Sequence, residues 1–272
     1  MLEFHCRRHA KDGTPIIKDT EIADYAGALV RDYNARYIDE PWLLDPLKFS
    51  EYYLEANLDF VDIYCEEGEQ IAGATVFNRE NIKLFDREHM RTKCETFEPN
   101  TILIDNETMK DGRGTFARFT VFHEDGHLCM HPRVFREDPQ QMSMFDFMEP
   151  AAPKSVICCR KNNIEDRKTK LVTQEDFREH QANVFAAAIT MPKKIFTEIG
   201  IAAIRQMGCD DDYYVLPTLH ESDYDECADS LAAYMGRRFN VSKSAARVQL
   251  RKYGLIKTSW EEFQERRQSR LF

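Results

Sequence analysis

The segment from Arg118 to His131, R-F-T-V-F-H-E-D-G-H-L-C-M-H, most constrains what this chain can fold into. It contains the pattern H-E-x-x-H at His123, Glu124 and His127. Because residues four apart on an α-helix point from nearly the same face, both imidazoles can reach one metal ion. Glu124 lies one step round the helix, close enough to touch a metal-bound water without ligating the metal. The pattern therefore predicts a helix with two metal ligands and one acid–base carboxylate.

The same segment has enough apolar surface to be a packed and rigid helix, through Phe119, Val121, Phe122 and Leu128. Rigidity matters because a zinc site tolerates little error in the placement of its ligands. The alternative interpretation is an ordinary helix with two histidines, one of them capping the helix or hydrogen-bonded in a core.

A second helix is predicted from Gln174 to Met191. Thr173 precedes it with Asp176 three residues later, as in a capping box, and Pro192 ends it. Its centre, E-H-Q-A-N-V-F-A-A-A-I, contains small residues that would let it lie close against another helix. A catalytic zinc site needs a third protein ligand and a fourth position for water. Glu179 is our candidate for that third ligand.

The remaining pattern predicts an α+β fold: a small β-sheet with packed helices that carry a zincin-like site, followed by a helical C-terminal region. Apolar alternation predicts strands at residues 60–64, 71–77, 82–85 and 101–105. Helical spacing predicts helices at 19–37, capped by Asp19 or Thr20, and at 46–58.

Composition narrows the class of protein. With 43% hydrophobic and 31% charged residues the sequence is typical of a soluble globular protein, and its net charge of −10 disfavours general nucleic-acid coating. It contains no apolar run of membrane-spanning length and no apolar leader at its start, so we expect a cytoplasmic protein. The eight cysteines are then expected to be free thiols. Cys158 and Cys159 are adjacent, a poor geometry for sharing one zinc.

The two motif segments together resemble the ImmA/IrrE family of zinc-dependent metallo-endopeptidases, whose patterns are R-F-T/S-x-x-H-E-x-G-H and E-x-x-A-N/D-x-F-A-x-x-L-x-M-P. Here they are R-F-T-V-F-H-E-D-G-H, beginning at Arg118, and E-H-Q-A-N-V-F-A-A-A-I-T-M-P, beginning at Glu179. The resemblance covers roughly residues 20 to 200. In two departures, Asp125 stands where the family usually has an apolar residue, and Gln181 replaces a common acidic one.

The resemblance implies one zinc ion per chain, held by His123, His127 and Glu179. Metal-activated water would attack the peptide bond with Glu124 as general base. The implied substrate is a helix-turn-helix transcriptional repressor of a bacterium or mobile element. For the oxyanion the sequence offers His131, His220, Tyr213 and Tyr214 without choosing, and we expect His131 to be a solvent-facing or capping residue instead.

We predict a metallopeptidase domain over residues 1–200, with a loop insertion at about 136–170, then a connector and helical region over 201–272. The loop is expected to pack against the domain or to act as a lid. Residues 227–256 resemble a helix-turn-helix, and residues 229–257 contain seven basic residues and one acidic residue. This pattern leaves two alternatives open: a DNA-binding regulator, and an anti-repressor that binds its partner without cleaving it.

Overall fold

The computed structural model describes residues 1–66, 69–110, 114–136, 155–160, 171–208 and 221–256 of the chain. The α-helices are α1 (Asp19–Asn34), α2 (Arg36–Asp39), α3 (Pro46–Lys48), α4 (Gly114–Met130), α5 (Pro132–Phe135), α6 (Gln174–Thr190), α7 (Lys193–Gln206), α8 (Glu221–Phe239) and α9 (Lys243–Lys252). The strands are β1 (Asn57–Val61), β2 (Ile71–Val76), β3 (Glu80–Asp86), β4 (Arg91–Phe97), β5 (Thr101–Asp105) and β6 (Val156–Arg160). Helices packed with small sheets confirm the predicted mixed class. No helix among these residues is both long and apolar enough to cross a membrane.

The larger sheet has the strand order β1-β5-β2-β6, and β3 pairs with β4 in a separate ribbon. β1 and β5 are parallel, whereas β2 runs antiparallel to both of its neighbours, β5 and β6. β5 is buried along its whole length. Its alternate residues Ile102 and Ile104 pack with Val121 of α4, while Leu103 packs with Leu84 of the ribbon. The sheet therefore lies between α4 and the ribbon.

Helix α4 is the centre of the molecule, since every residue from Ala117 to Met130 is buried. One side of the helix contacts β2 and β5, and another lies against α6. The close approach of α6 is possible because position 126 is glycine: a Cβ there would lie 3.1 Å from Phe185 Cδ1 and 3.2 Å from Ala182 Cα. On a helix that is buried on all sides, each side chain is either apolar or hydrogen-bonded to other groups of the protein. This explains why charged motif residues on α4 must find partners inside the protein.

The C-terminal helices belong to the same hydrophobic core as the motif helices. Phe122 of α4 and Phe185 of α6 are in one cluster with Leu231 of α8 and Leu250 of α9. Phe239 at the end of α8 packs its ring 5.8 Å from that of Trp42. The helix-turn-helix-like segment is thus built against the helices that precede it.

Several predicted helix ends are confirmed. The Thr173 hydroxyl accepts the Asp176 amide at 3.1 Å, and the Asp176 carboxylate accepts the Thr173 amide at 2.9 Å, so the capping box at α6 is present. Ser242 accepts the Ala245 amide at 3.1 Å at the start of α9. Gly254, with φ +76°, follows the end of that helix. Local side-chain chemistry was sufficient to predict these ends.

Other predicted boundaries are wrong. The first helix begins after Lys18 rather than at an Asp19 or Thr20 cap, with the Glu21 carboxylate accepting the Lys18 amide, and it ends at Asn34. The helix predicted at 46–58 continues only as a π-helical turn to Tyr53, and β1 begins at Asn57.

Strands β4 and β6 and most of α7 were not predicted. β6 lies within the predicted loop at 136–170, of which residues 137–154 and 161–170 are outside the described residues. Helix α7 extends through Gln206 into the predicted connector. Residues 209–220, with the candidates Tyr213, Tyr214 and His220, also lie outside the described residues.

Candidate metal centre

Three predicted ligands converge at one buried point between α4 and α6. His123 Nε2 and His127 Nε2 are 3.0 Å apart. Glu179, from α6, completes the triangle at 3.5 Å from His123 Nε2 and 3.3 Å from His127 Nε2. Both histidine side chains are fully buried and that of Glu179 is 8% exposed. The spacing of four on α4 and the close packing of α6 together produce this arrangement.

The ring of His123 is oriented by a residue on the facing helix. Its Nδ1 lies 3.1 Å from Asn183 Oδ1. An amide oxygen only accepts, so Nδ1 carries the proton and Nε2 presents a lone pair to the ligand triangle. Asn183 is one turn after Glu179, so one face of α6 supplies both a ligand and the residue that orients another ligand.

The ring of His127 is oriented by a chain of three further groups. The Gln181 amide donates to the Pro15 carbonyl at 2.7 Å, which turns Gln181 Oε1 towards His131 Nε2 at 2.9 Å. His131 Nε2 must then donate, which leaves His131 Nδ1 to accept from His127 Nδ1 at 2.9 Å. His127 Nε2 is thereby left with its lone pair towards the ligand triangle. The carbonyl at the far end of the chain fixes this polarity, because it has no proton to give.

The sequence predicts that His131 is a solvent-facing or capping residue, and this prediction is wrong. It is fully buried, and both of its ring nitrogens are engaged with His127 and Gln181. It begins α5 without any hydrogen bond from its side chain to the helix end. His131 lies behind His127, on the side away from the ligand triangle. A group in this position fixes the tautomer of a metal-ligating histidine.

The donor set fits a zinc ion. Tetrahedral bonds of about 2.1 Å put the donor atoms about 3.4 Å apart, close to the separations in this triangle. Burial lowers the pKa of His127 to about 4, so its imidazole is neutral at pH 7, as a ligand must be. Burial alone would raise the pKa of Glu179, but its contacts with the His123 and His127 imidazoles hold it well below its usual range. Burial lowers the pKa of His123, but its contacts with Glu179 raise it above its usual value, so a metal ion that binds here would displace a proton of that ring.

Glu124 lies beside the triangle without forming part of it. The Thr75 hydroxyl of β2 donates to Glu124 Oε2 at 2.7 Å. Oε1 is buried and has no hydrogen-bond partner within the described part of the chain. Gly73 makes room for that oxygen, since a Cβ at position 73 would lie 2.9 Å from it. Burial raises the pKa of Glu124 to about 7, against the opposing effects of His123 and Thr75. This carboxylate can both take up and release a proton near neutral pH.

The unusual Asp125 is buried on the opposite side of α4. Ser50 Oγ lies 2.9 Å from the Pro46 carbonyl oxygen and 2.9 Å from Asp125 Oδ2. The hydroxyl has one proton, and the carbonyl can only accept it, so a protonated Asp125 would complete the network by donating to Ser50. Burial raises the pKa of Asp125 well above its usual value, which agrees with this assignment. A protonated, neutral Asp125 is compatible with a position on α4 that is fully buried.

Arg118, which begins the first motif, supports the site from a distance. Its guanidinium donates to the carbonyls of Leu44 at 2.8 Å and Pro41 at 2.6 Å, and it packs over the Phe122 ring. These contacts tie the turn at 41–44 to α4. Arg118 is thus a structural residue of the motif.

The sequence prediction missed one residue of the centre, Cys159. It is fully buried on β6, and its sulfur belongs to a second group with His123 and Glu124 whose ligand atoms all lie within 4.8 Å of one another. The adjacent Cys158 is exposed. Successive strand residues point to opposite faces, so an adjacent pair can send one thiol into a site. The available signal was the apolar run V-I-C-C before Arg160, which is too short to identify a strand with certainty.

A scan against protein-family models and a search of curated proteins give no match for this chain.

Proposed function

We propose that this chain is a zinc-dependent endopeptidase. The observation that carries the proposal is the convergence of two histidine lone pairs and one ionised carboxylate on a single buried point. His123 and His127 are oriented separately, by Asn183 and by the His131–Gln181 chain, yet both present Nε2 to the same place. Two nitrogens 3.0 Å apart need a proton or a metal ion between them, and the third donor, Glu179, favours the metal ion. Glu124 beside them supports hydrolysis over a purely structural role.

Each residue then has a defined task. Bound zinc would supply a polarised carbonyl and an activated water. Glu124 would take the proton of that water at Oε1 and later deliver it to the leaving amine, while Thr75 holds Oε2 in place. Gly73 keeps β2 close enough for this contact. The residue that stabilises the oxyanion is not among those assigned here, because both ring nitrogens of His131 are engaged.

The substrate class that we propose is a helix-turn-helix repressor, which follows from the resemblance to the ImmA/IrrE family. Direct DNA binding is less well supported. Lys243 and Arg247 pair with Asp229, Lys252 pairs with Asp19, and Arg238 stacks on Trp42. Four of the seven basic side chains counted along the sequence therefore contact other side chains of the protein, which makes them less available to phosphates.

The test is Glu124→Gln, with Glu175→Gln on the outer part of α6 as its control. Zinc content is measured first, then the appearance of new N-termini in a mixture of peptides of varied sequence. We expect about one zinc per chain in all three proteins and cleavage reduced at least about 100-fold only in Glu124→Gln, as for a lost general base. Zinc bound equally in His123→Ala or Glu179→Ala, or undiminished cleavage by Glu124→Gln, would contradict the proposal.

A further inference from the structure

Strand β6 brings a thiol to the metal centre along the edge of the sheet. It pairs antiparallel with β2, and Cys159 lies opposite Gly73 in that register. Gly73 is also the residue against which Glu124 packs, so the strand passes directly beside the carboxylate. Cys158 lies opposite Ala74 and is exposed, whereas Cys159 is fully buried. The strand therefore places one particular sulfur at the centre.

The surroundings of Cys159 differ from those of an ordinary buried cysteine, which packs among apolar side chains. Its sulfur lies within 4.8 Å of ligand atoms of His123 and Glu124, and it is hydrogen-bonded to Glu179. Burial, together with the charges of Glu179 and Glu124, raises the pKa of the Cys159 thiol well above its usual value. Two carboxylates around a sulfur are unfavourable for a thiolate unless a cation is present.

A second observation points to a ligand at the same place. Glu124 Oε1 is completely buried beside Gly73, the residue opposite Cys159 in the sheet, with no hydrogen-bond partner among the residues that the structure describes. A buried carboxylate oxygen without a partner costs free energy, so it marks a position where another group is accommodated. The group of His123, Glu124 and Cys159 shares its histidine with the triangle of His123, His127 and Glu179. Cys159 therefore lies next to the triangle, within reach of an ion held there if β6 moves slightly inward.

We propose that Cys159 is the fourth protein ligand of the zinc in the resting protein, supplied by β6. This inference rests on the metal site of the proposed function and adds a way in which the activity of that site is regulated. On coordination the S–H bond breaks, its proton passes to solvent, and a bond from sulfur to the ion forms, with no oxidant or reductant required. Zinc sites with four protein ligands are closed, whereas catalytic sites keep one position open for water. The resting protein is then largely latent, and the cleavage expected of the wild type comes from the fraction of molecules in which Cys159 has left the ion.

The position of β6 gives the latent state a second effect. In the larger sheet β6 is the strand next to β2 at one edge. An extended peptide that adds to a sheet needs a strand edge with free backbone groups, and β6 takes up that edge of β2. Withdrawal of β6 would open both the fourth position on the ion and the edge of β2 nearest to Glu124. Access of a protein substrate and activation of the centre are thereby coupled through one strand.

The deciding experiment is X-ray absorption at the zinc edge of the full-length, zinc-loaded protein. We expect one sulfur at about 2.3 Å in the wild type and in Cys158→Ser, and none in Cys159→Ser or Cys159→Ala. The adjacent Cys158→Ser is a matched control because it changes the neighbouring thiol on the other face of the same strand. A zinc shell of nitrogen and oxygen alone in the wild type, or sulfur retained in both Cys159 variants, overturns the proposal.

Cleavage of the peptide mixture separates this inference from the proposed function. We expect at least about a 10-fold higher rate in Cys159→Ser or Cys159→Ala than in Cys158→Ser, because the fourth position is then open to water. Bound zinc without sulfur, with active wild type, overturns the inference and leaves the peptidase intact. Bound zinc with sulfur, and no cleavage even by the Cys159 variants, supports the ligand but contradicts the peptidase. Absence of bound zinc contradicts both.

Discussion

At the scale of single residues, the centre depends on groups that do not touch the ion position. The lone pair of His127 is directed by His131, whose own tautomer follows from Gln181 and finally from the Pro15 carbonyl. Because the Pro15 carbonyl can only accept, Gln181 donates to it and accepts from His131, and His131 in turn accepts from His127. Gln181 suits this place because an amide can accept from His131 and donate to Pro15 at once.

Replacing His131 with leucine tests the chain. Without an acceptor at His127 Nδ1, the ring loses its fixed tautomer and orientation, so we expect zinc affinity to fall about 10- to 100-fold. Competition with a chromophoric chelator measures this change. His180→Leu is the control, since His180 is the neighbour of Glu179 on α6 but contacts Asp19 instead. Equal affinities in the wild type and in His131→Leu would show that the chain has no part in holding the metal.

The sequence predicts the three candidate ligands that the structure brings together, but not the residues around them. His123, His127 and Glu179 follow from helical spacing and from the resemblance, both of which are local patterns. The roles of His131 and Cys159 depend on packing between segments distant along the chain, through Gln181 in one case and Gly73 in the other. No periodicity within either segment contains that information, because it arises only when the sheet and helices come together.

At the scale of elements, the centre is set by how closely α6 approaches α4. The two helices meet at Gly126, between His123 and His127, where a Cβ would lie 3.2 Å from the Ala182 Cα. Backbone cannot move aside as a flexible side chain can, so a larger residue would push α6 and its Glu179 outward. The glycine of the first motif is therefore a spacing residue.

Gly126→Ala should lower zinc affinity even though alanine favours helix formation. We expect at least about a 10-fold loss of affinity from the displaced Glu179. Gly27→Ala on α1 is the matched control, because a Cβ there has nothing within 4 Å. It should raise the free energy of unfolding by about 0.5–1 kcal/mol and leave affinity unchanged. Urea unfolding and chelator competition measure the two effects separately, and unchanged affinity in Gly126→Ala would rule out the spacing role.

The helices and strands that carry clear local signals were predicted best. β5 begins and ends where alternation and flanking polar residues predicted it, and α6 follows its capping box. β6 was missed because its short apolar run lies in a segment that otherwise shows no clear period, and β4 because its exposed polar residues give no apolar alternation. The π-helical turn at Phe49–Tyr53 reflects packing on α4, which propensity does not anticipate.

At the scale of the whole molecule, one acidic residue links three helices. Asp19, at the start of α1, contacts His180 of α6 at 2.9 Å and Lys252 of α9 at 2.8 Å. The hydrogen bond with His180, with further contributions from Lys252, holds the pKa of Asp19 well below its usual range. The C-terminal helices are therefore joined to the rest both by this contact and by the shared apolar core.

The low pKa of Asp19 predicts how this link responds to acid. Because the folded protein keeps Asp19 ionised more strongly than the unfolded chain does, its stabilisation is complete above about pH 5. It is lost progressively as pH falls from the unfolded pKa of about 3.9 towards the lower folded pKa. The difference in unfolding free energy between wild type and Asp19→Asn should shrink over that range. Denaturant titrations between neutral and acidic pH measure it, and a difference that grows with acid would contradict the assignment.

A double-mutant cycle identifies the contribution of Lys252 to the same link. Asp19→Asn combined with Lys252→Gln should show a coupling of about 0.2–1 kcal/mol, modest because both side chains are partly exposed. Arg251→Gln, the neighbouring exposed residue on α9, should show no coupling with Asp19. Equal coupling for both basic residues would indicate general electrostatic attraction instead of a specific contact.

The hydrogen-bond chain that ends at Pro15 also decides whether the centre can be transplanted. The motif-bearing span, roughly residues 20 to 200, looks like a portable module that could be grafted onto another scaffold or exchanged with a relative. Its histidine tautomer, however, is set by a carbonyl that lies outside the span, and part of its interior is supplied by α8 and α9. A chimera that contains only this span would keep every proposed ligand. It would lose the Pro15 carbonyl, which sets the tautomer of His127 through Gln181 and His131.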